Sequence, residues 1–231
     1  MKRFYREVSL AEAERGWRVL LDGRGIKTAG GRAQIVPTRA LAAALSEEWA
    51  AQGEEIDPAR FILRDLADYA IDIAGPERGR TIPALLRYAE TDTLCYRAEP
   101  DEALYARQSE VWEPLLNSAE ARWDVHFERV SGVIHQPQPA ATLGRLEQVL
   151  MAEDDFTLAA LNTLASLAAS LVIGLAALAP DADADVLWTA ANLEEDWQAE
   201  LWGKDAEAAA RREWRLGQFK AALHFARLAR G

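Results

Sequence analysis

The alternation of apolar and polar positions is strand-like near the start of the chain and helix-like almost everywhere after it. In "GWRVLLDG", Trp17, Val19 and Leu21 alternate with Arg18 and Leu20 before Asp22-Gly23 supplies a turn, and "RGIKTAGG" and "RAQIVP" follow with their own glycine punctuation. This pattern predicts a meander of three short strands. Thr38, directly after Pro37, is a good helix N-cap, and Leu41, Ala42, Leu45 and Trp49 then share one helical face. From Asp57 onward the helical period persists. Phe61, Ile62, Leu66, Tyr69 and Ile73 recur at helical spacing until "GPERG", from Gly75 to Gly79, breaks the chain. Further helices are predicted around Ile82–Glu90, Glu102–Arg122, Leu143–Met151, Phe156–Ala179, Asp185–Trp202 and Asp205–Ala229, with a short extended piece and a proline-rich loop in "WDVHFERVSGVIHQPQP". The expected architecture is a small α+β N-terminal domain, an antiparallel sheet plus helices over 1–76, followed by a mainly α, helical-bundle domain over 77–231.

Two segments qualify that reading. Pro114 lies inside the helix from Glu102, where the missing N–H should kink or split it. The stretch Phe156–Ala179 carries no charged residue and has the length of a membrane span. Acidic residues flank it on both sides, Glu153, Asp154 and Asp155 before and Asp181, Asp183 and Asp185 after, so the Lys/Arg excess that orients a membrane helix is missing. It is expected to be the central helix of a bundle, apolar all round because neighbours surround it, with no membrane insertion.

Composition adds that 231 residues, half of them hydrophobic, can bury a real core without staples. The formal net charge of -11 repels phosphate backbones and anionic lipid, which argues against nucleic acid as a partner and favours a basic or mixed protein face. Cys95, the single cysteine, excludes an internal disulfide, and its neighbours Leu94 and Tyr96 mark it as a buried hydrophobe rather than a nucleophile. The opening "MKRFYREVSL" has no apolar run of the signal-peptide kind, so a cytoplasmic protein is expected.

Motifs for catalysis are weak. "GRGIKTAGG" resembles a phosphate loop, but Lys27 follows Ile26 instead of a glycine. His126, His135 and His224 are far apart, and no Gly-x-Ser-x-Gly elbow occurs, so neither a metal site nor a serine hydrolase is indicated, and no cofactor is expected. Paired carboxylates at Glu47 and Glu48, Glu194 and Glu195, and Asp205 and Glu207 leave open a small-molecule hydrolase, which needs two carboxyls in unlike environments. The most distinctive segment is "NLEEDWQAELWGKDAEAAARR". Projected at about 100° per residue, Leu193, Trp197 and Leu201 fall within about an 80° arc suited to burial, while Glu195, Gln198 and Trp202 gather opposite. Trp202 then reads either as an interface anchor among hydrogen-bonding groups or as a ring packed under the next helix across Gly203; composition leaves both open.

Six blocks, "RFYREV", "LLDGRGIKT", "EEWAAQGEEIDP", "TDTLCYR", "QSEVWEPLL" and "LEEDWQAELWGKDAEA", occur in order, and together the chain resembles the Atp-twelve family, assembly chaperones of the F-type ATP synthase alpha subunit. The resemblance implies a non-enzyme of two domains that binds the unassembled alpha subunit, prevents its aggregation and shields the surface later covered by the beta subunit. It places the critical acidic positions at Glu194 and Glu195, with Gln198, Trp202 and Gly203 as companions and Trp49 in an earlier block. With Asp205 and Glu207 of the same block, Glu194, Glu195, Gln198 and Trp202 form the expected partner-binding set of a monomeric chaperone. The chain departs from the family pattern at Ala29-Gly30-Gly31, often a Thr-Pro turn, and at Asn117, often a tryptophan.

Overall fold

The computed structural model describes every residue except Val133 and Lys204. Its strands are β1 (Val8–Ala13), β2 (Gly16–Leu21) and β3 (Arg24–Gly25), ordered β1-β2-β3 and antiparallel throughout. The expected small antiparallel sheet is therefore present, but with a different first strand. β1, which the sequence reading left out, pairs with β2 from Val8↔Leu21 to Ala13↔Gly16. Its hairpin turns on Glu14-Arg15 and lacks the Asn-Gly or Asp-Gly signature by which two-residue hairpins are recognised. Conversely, "RAQIVP" forms no strand and contributes only isolated bridges, Lys27↔Ala33 and Trp17↔Val36.

The glycine loop after β3 explains its likeness to a phosphate loop. Its backbone N–H groups do bind anions, and the anions are this chain's own carboxylates. Ala29 N donates to Asp68 at 2.9 Å, Gly30 N to Asp72 at 2.7 Å, and the Thr28 hydroxyl to Asp72 at 2.9 Å. Asp72 is presented by a π-helical turn, Ala70–Ala74, closed by Gly75 N on Ala70 O at 3.0 Å. A Cβ on Gly30 would lie 2.6 Å from the Asp72 carboxylate. Gly30→Ala should therefore cost about 1–3 kcal/mol by overpacking; a urea midpoint unchanged from wild type would refute that.

Helix α1 (Arg39–Ala50) starts as expected, Thr38 accepting from Leu41 N at 3.1 Å, and buries Leu41, Ala42, Leu45 and Trp49. It is followed by α2 (Ile62–Tyr69) and, after a turn at 75–77, α3 (Arg78–Glu90). The buried face of α2 is Leu63, Leu66, Ala67 and Asp68, so the burial runs beside the expected series, and Ile73 is exposed.

The remaining elements are β4 (Tyr96–Arg97), α4 (Ala103–Trp123), β5 (Val130–Ser131), α5 (Ala140–Ala152), α6 (Asp155–Ala168), α7 (Leu171–Ala176), α8 (Ala184–Ala191), α9 (Leu193–Trp202) and α10 (Ala206–Arg230). β4 and β5 pair in parallel. Pro114 does not split α4, which runs unbroken with Trp112 and Leu116 buried. Two expected helices are divided. Phe156–Ala179 breaks at Ala169, whose φ is +48°, and Ser170, whose side chain caps Ile173 N at 3.0 Å. The buried Asp92 carboxylate stabilises this break by accepting from Val172 N at 3.0 Å, while its other oxygen caps its own turn by accepting from Leu94 N at 3.1 Å. The apolar segment is buried as expected, but as two helices, and no helix among the described residues is long and apolar enough to cross a membrane. Asp185–Trp202 divides at Asn192, whose side chain donates to Trp188 O at 2.8 Å. Cys95 is fully buried.

By packing the chain forms two compact units. One comprises Met1–Arg78, Asp154–Ala160 and Ala221–Gly231; the other comprises Gly79–Glu153 and Leu161–Lys220. Each of α6 and α10 thus contributes residues to both.

Candidate functional site

The acidic helix α9 is seated by its first turn. Leu193 is buried, and Glu194 Oε1 accepts from Gln108 Nε2 at 2.6 Å, while Gln108 Oε1 accepts from Ala98 N at 2.9 Å. Glu194, one of the expected partner-binding residues, is exposed and also serves as an acceptor joining α9 to α4. A second tie follows nearly two turns on: the Arg107 guanidinium grips Glu200 at 2.6 and 2.9 Å and lies 5.6 Å from the Trp197 ring. Beyond that turn α9 leaves its support. Leu201 is 57% exposed, which corrects the expected buried stripe: Leu193 packs, Trp197 is half-buried, and the far end has no wall to meet.

Across the break at Gly203, whose φ is +93°, Asp196 forms a two-pronged ion pair with Arg212 of α10, one prong at 2.7 Å. Asp205 accepts from Ala208 N at 2.7 Å and caps the start of α10. These contacts hold α8, α9 and α10 around an open groove of about 610 Å³. Its floor includes Trp188, buried 5.5 Å from the Phe219 ring, with an indole N–H that meets no acceptor among the described residues. One wall is Trp202, which is 78% exposed. That figure decides between the two readings of this ring: it is not packed under the following helix.

The groove gathers Glu195, Gln198, Trp202 and Asp205 from the expected set and leaves two others out. Glu194 faces Gln108, and Glu207 sits on α10 outside the lining. Carboxylates dominate the lining, Asp185, Glu195, Asp196, Asp205 and Glu213 against Arg212. Asp196 is matched by Arg212 and Asp185 by Lys220 at 2.7 Å, so Glu195, Asp205 and Glu213 are left without an ion pair among the described residues. An aromatic wall beside unneutralised carboxylates favours cationic side chains with apolar stems.

Sequence reasoning missed Trp214, 64% exposed on α10. Its signal was available, because Glu207 and Trp214 are seven residues apart and share a helical face with Ala210 and Arg211, all exposed. The carboxylate pairs proposed for hydrolysis do not converge. Glu48 spends both oxygens on Leu63 N and Arg64 N, at 2.7 and 2.9 Å, capping α2, and Glu47 beside it is exposed.

A family model described as "ATP12 chaperone protein" matches residues 2–120. The mitochondrial protein atp12 of Schizosaccharomyces pombe is 25% identical over 202 residues, 82% of this chain and 69% of that protein. The crystal structure of Atp12 from Paracoccus denitrificans is 37% identical, with a TM-score of 0.93 over 99% of this chain and 98% of that one. An aspartate-to-lysine mutant of the same Paracoccus protein matches equally well, at a TM-score of 0.93 over 97% of its length. The chain belongs to the ATP12 chaperone family.

Proposed function

We propose that this chain is an assembly chaperone of the F-type ATP synthase that binds the unassembled alpha subunit through the α8–α9–α10 groove and keeps it from aggregating. The observation that carries this reading is Trp202, an indole left in solvent beside carboxylates, Glu195, Asp205 and Glu213, that make no ion pair among the described residues. A protein with no partner has no reason to keep that combination on its surface. An orphan subunit exposes the apolar face that its neighbour will later bury, and such faces associate non-specifically. Purely apolar cover would be slow to leave. One aromatic anchor with an acidic rim gives recognition through charge and allows exchange when the true neighbour arrives. The chain works as a monomer in the cytoplasm, with client binding confined to the helical segment 77–231 and no bond made or broken.

Glu195 is exposed and makes no ion pair among the described residues, so Glu195→Lys should leave the melting temperature close to wild type. The same change should abolish protection of isolated alpha subunit in a light-scattering assay. Trp202→Ala should weaken client binding by about 30-fold, the range of an interface anchor. Undiminished protection by the folded Glu195→Lys protein would refute the reading.

A further inference from the structure

The chain as a whole is acidic, yet one groove in the unit containing Met1–Arg78 is edged with cations. It measures about 530 Å³ and includes β3, the edge strand of the sheet. Arg24, Lys27 and Arg64 line it, with Asp22 as the lone carboxylate of the lining. The four groups are not equivalent. Asp22 is already committed: one oxygen accepts from Arg6 N at 3.0 Å and Glu7 N at 2.9 Å, and those backbone donors hold its carboxyl below the usual range. Arg64 is committed as well, to Asp65 at 2.5 Å and to the Phe61 ring, 4.4 Å away. Arg24 and Lys27 are exposed and make no ion pair among the described residues, although the Arg24 charge contributes a minor part of the lowering of the Asp22 carboxyl.

The walls between these cations are aromatic. Phe4 is 62% exposed and meets Tyr5 edge-on at 5.3 Å, and Tyr5 meets Trp49 in the same way at 5.5 Å. Trp49, which also lines the groove, is only 8% exposed, and its indole N–H is buried without an acceptor among the described residues, so it backs the aromatic wall rather than offering a donor to a ligand. Unpaired cations, an exposed ring and a strand edge together suit an extended segment carrying both apolar and acidic side chains. A nucleic acid is disfavoured, because a net charge of -11 opposes a phosphate backbone over any distance beyond the groove itself.

We propose that this groove binds an acidic peptide segment of a partner protein, an apolar side chain lying against Phe4 and Tyr5 and carboxylates held by Arg24 and Lys27. The site is separate from the α8–α9–α10 groove and opposite to it in charge preference. The chaperone thereby carries two recognition surfaces of complementary sign.

Fluorescence anisotropy with the full chain tests this, using labelled peptides of glutamate and leucine, of glutamine and leucine, and of lysine and leucine. The acidic peptide should bind at least about tenfold more tightly than the glutamine peptide and should weaken as salt rises. Arg24→Glu combined with Lys27→Glu should lower its affinity by about tenfold or more, and the milder pair Arg24→Gln with Lys27→Gln should show the same direction. Glu195→Lys should bind the acidic peptide at least as well as wild type, so failure of the client surface and failure of this groove give different results. Equal binding of the three peptides, unchanged affinity in both Arg24/Lys27 double variants, or preference for a single-stranded oligonucleotide over the acidic peptide would overturn the proposal.

Discussion

Trp49→Ala is expected to lower folding stability by about 3–5 kcal/mol, the range for truncating a buried tryptophan. The residue is the hub of an aromatic chain. Its ring lies 5.5 Å from Tyr5 and 4.5 Å from Phe61, while its backbone carbonyl accepts the Tyr5 hydroxyl at 2.6 Å. Truncation removes the ring contacts on both sides and leaves a cavity between α1, the N-terminal segment and the start of α2. The Tyr5 hydroxyl bond runs to the backbone and survives, so the loss belongs to packing. Trp49→Phe retains most of the apolar contact, and the deleted N–H had no acceptor to lose, so its cost should be near 1 kcal/mol. Urea unfolding of the three proteins measures both values. A loss under about 1 kcal/mol for the alanine variant would mean that the cavity collapses, and that the aromatic chain is not what holds the N-terminal segment in place.

The second large effect is a pH dependence centred on Asp92. Burial pushes its carboxyl up to about 6, against hydrogen bonds from Val172 N, Ser170 and Leu94 N that favour the charged form. In the unfolded chain the same group titrates at the ordinary aspartate value of 3.8. Between those two values the folded protein keeps a proton that the unfolded chain has released. The contribution of Asp92 to stability is therefore complete below the unfolded value and is lost as pH rises through about 6. The change over that window is on the order of 3 kcal/mol. Asp92→Asn cannot titrate, so the stability of wild type relative to this variant should fall by roughly that amount between about pH 4 and pH 7. Subtracting the variant cancels the remaining carboxylates, including Glu113 and Glu120, where burial is outweighed by Arg129 and both groups are held below the usual range. Parallel pH profiles for the two proteins would show that Asp92 keeps an ordinary carboxyl despite its burial. The same carboxylate joins the "TDTLCYR" block to the α6–α7 break, which connects a sequence block of the family to a purely architectural role.

The two grooves divide the polar labour of the molecule. Around α9, among the described residues, Asp196 and Asp185 have ion-pair partners while Glu195, Asp205 and Glu213 have none, so the negative character there comes from selective pairing as well as composition. Around β3 the fold commits Asp22 and Arg64 and leaves Arg24 and Lys27. In each case an exposed aromatic ring stands beside the uncommitted charges, Trp202 in one and Phe4 in the other.

What the sequence determined by itself is whatever depends on neighbours a few residues away. The Thr38 cap, the buried face of α1, the Asp22-Gly23 turn and the small-sheet-then-helices order all follow from local propensity and period, and all are present. The six sequence blocks likewise sufficed for the family. Tertiary structure decided the rest, because those outcomes depend on which distant group supplies a partner. The apolar run Phe156–Ala179 has a helical pattern throughout, and its break combines a local cap, Ser170 on Ile173 N, with a partner the pattern cannot show, Asp92, far away in sequence, accepting from Val172 N. The glycine loop could receive an anion from its backbone alone, and it is closed by Asp68 from α2 and by Asp72 from the π turn that follows. Within one acidic helix, Glu194 and Glu195 are both exposed; only the fold shows that Gln108 on α4 engages the first, while the second lines the groove beside Trp202 without an ion pair among the described residues.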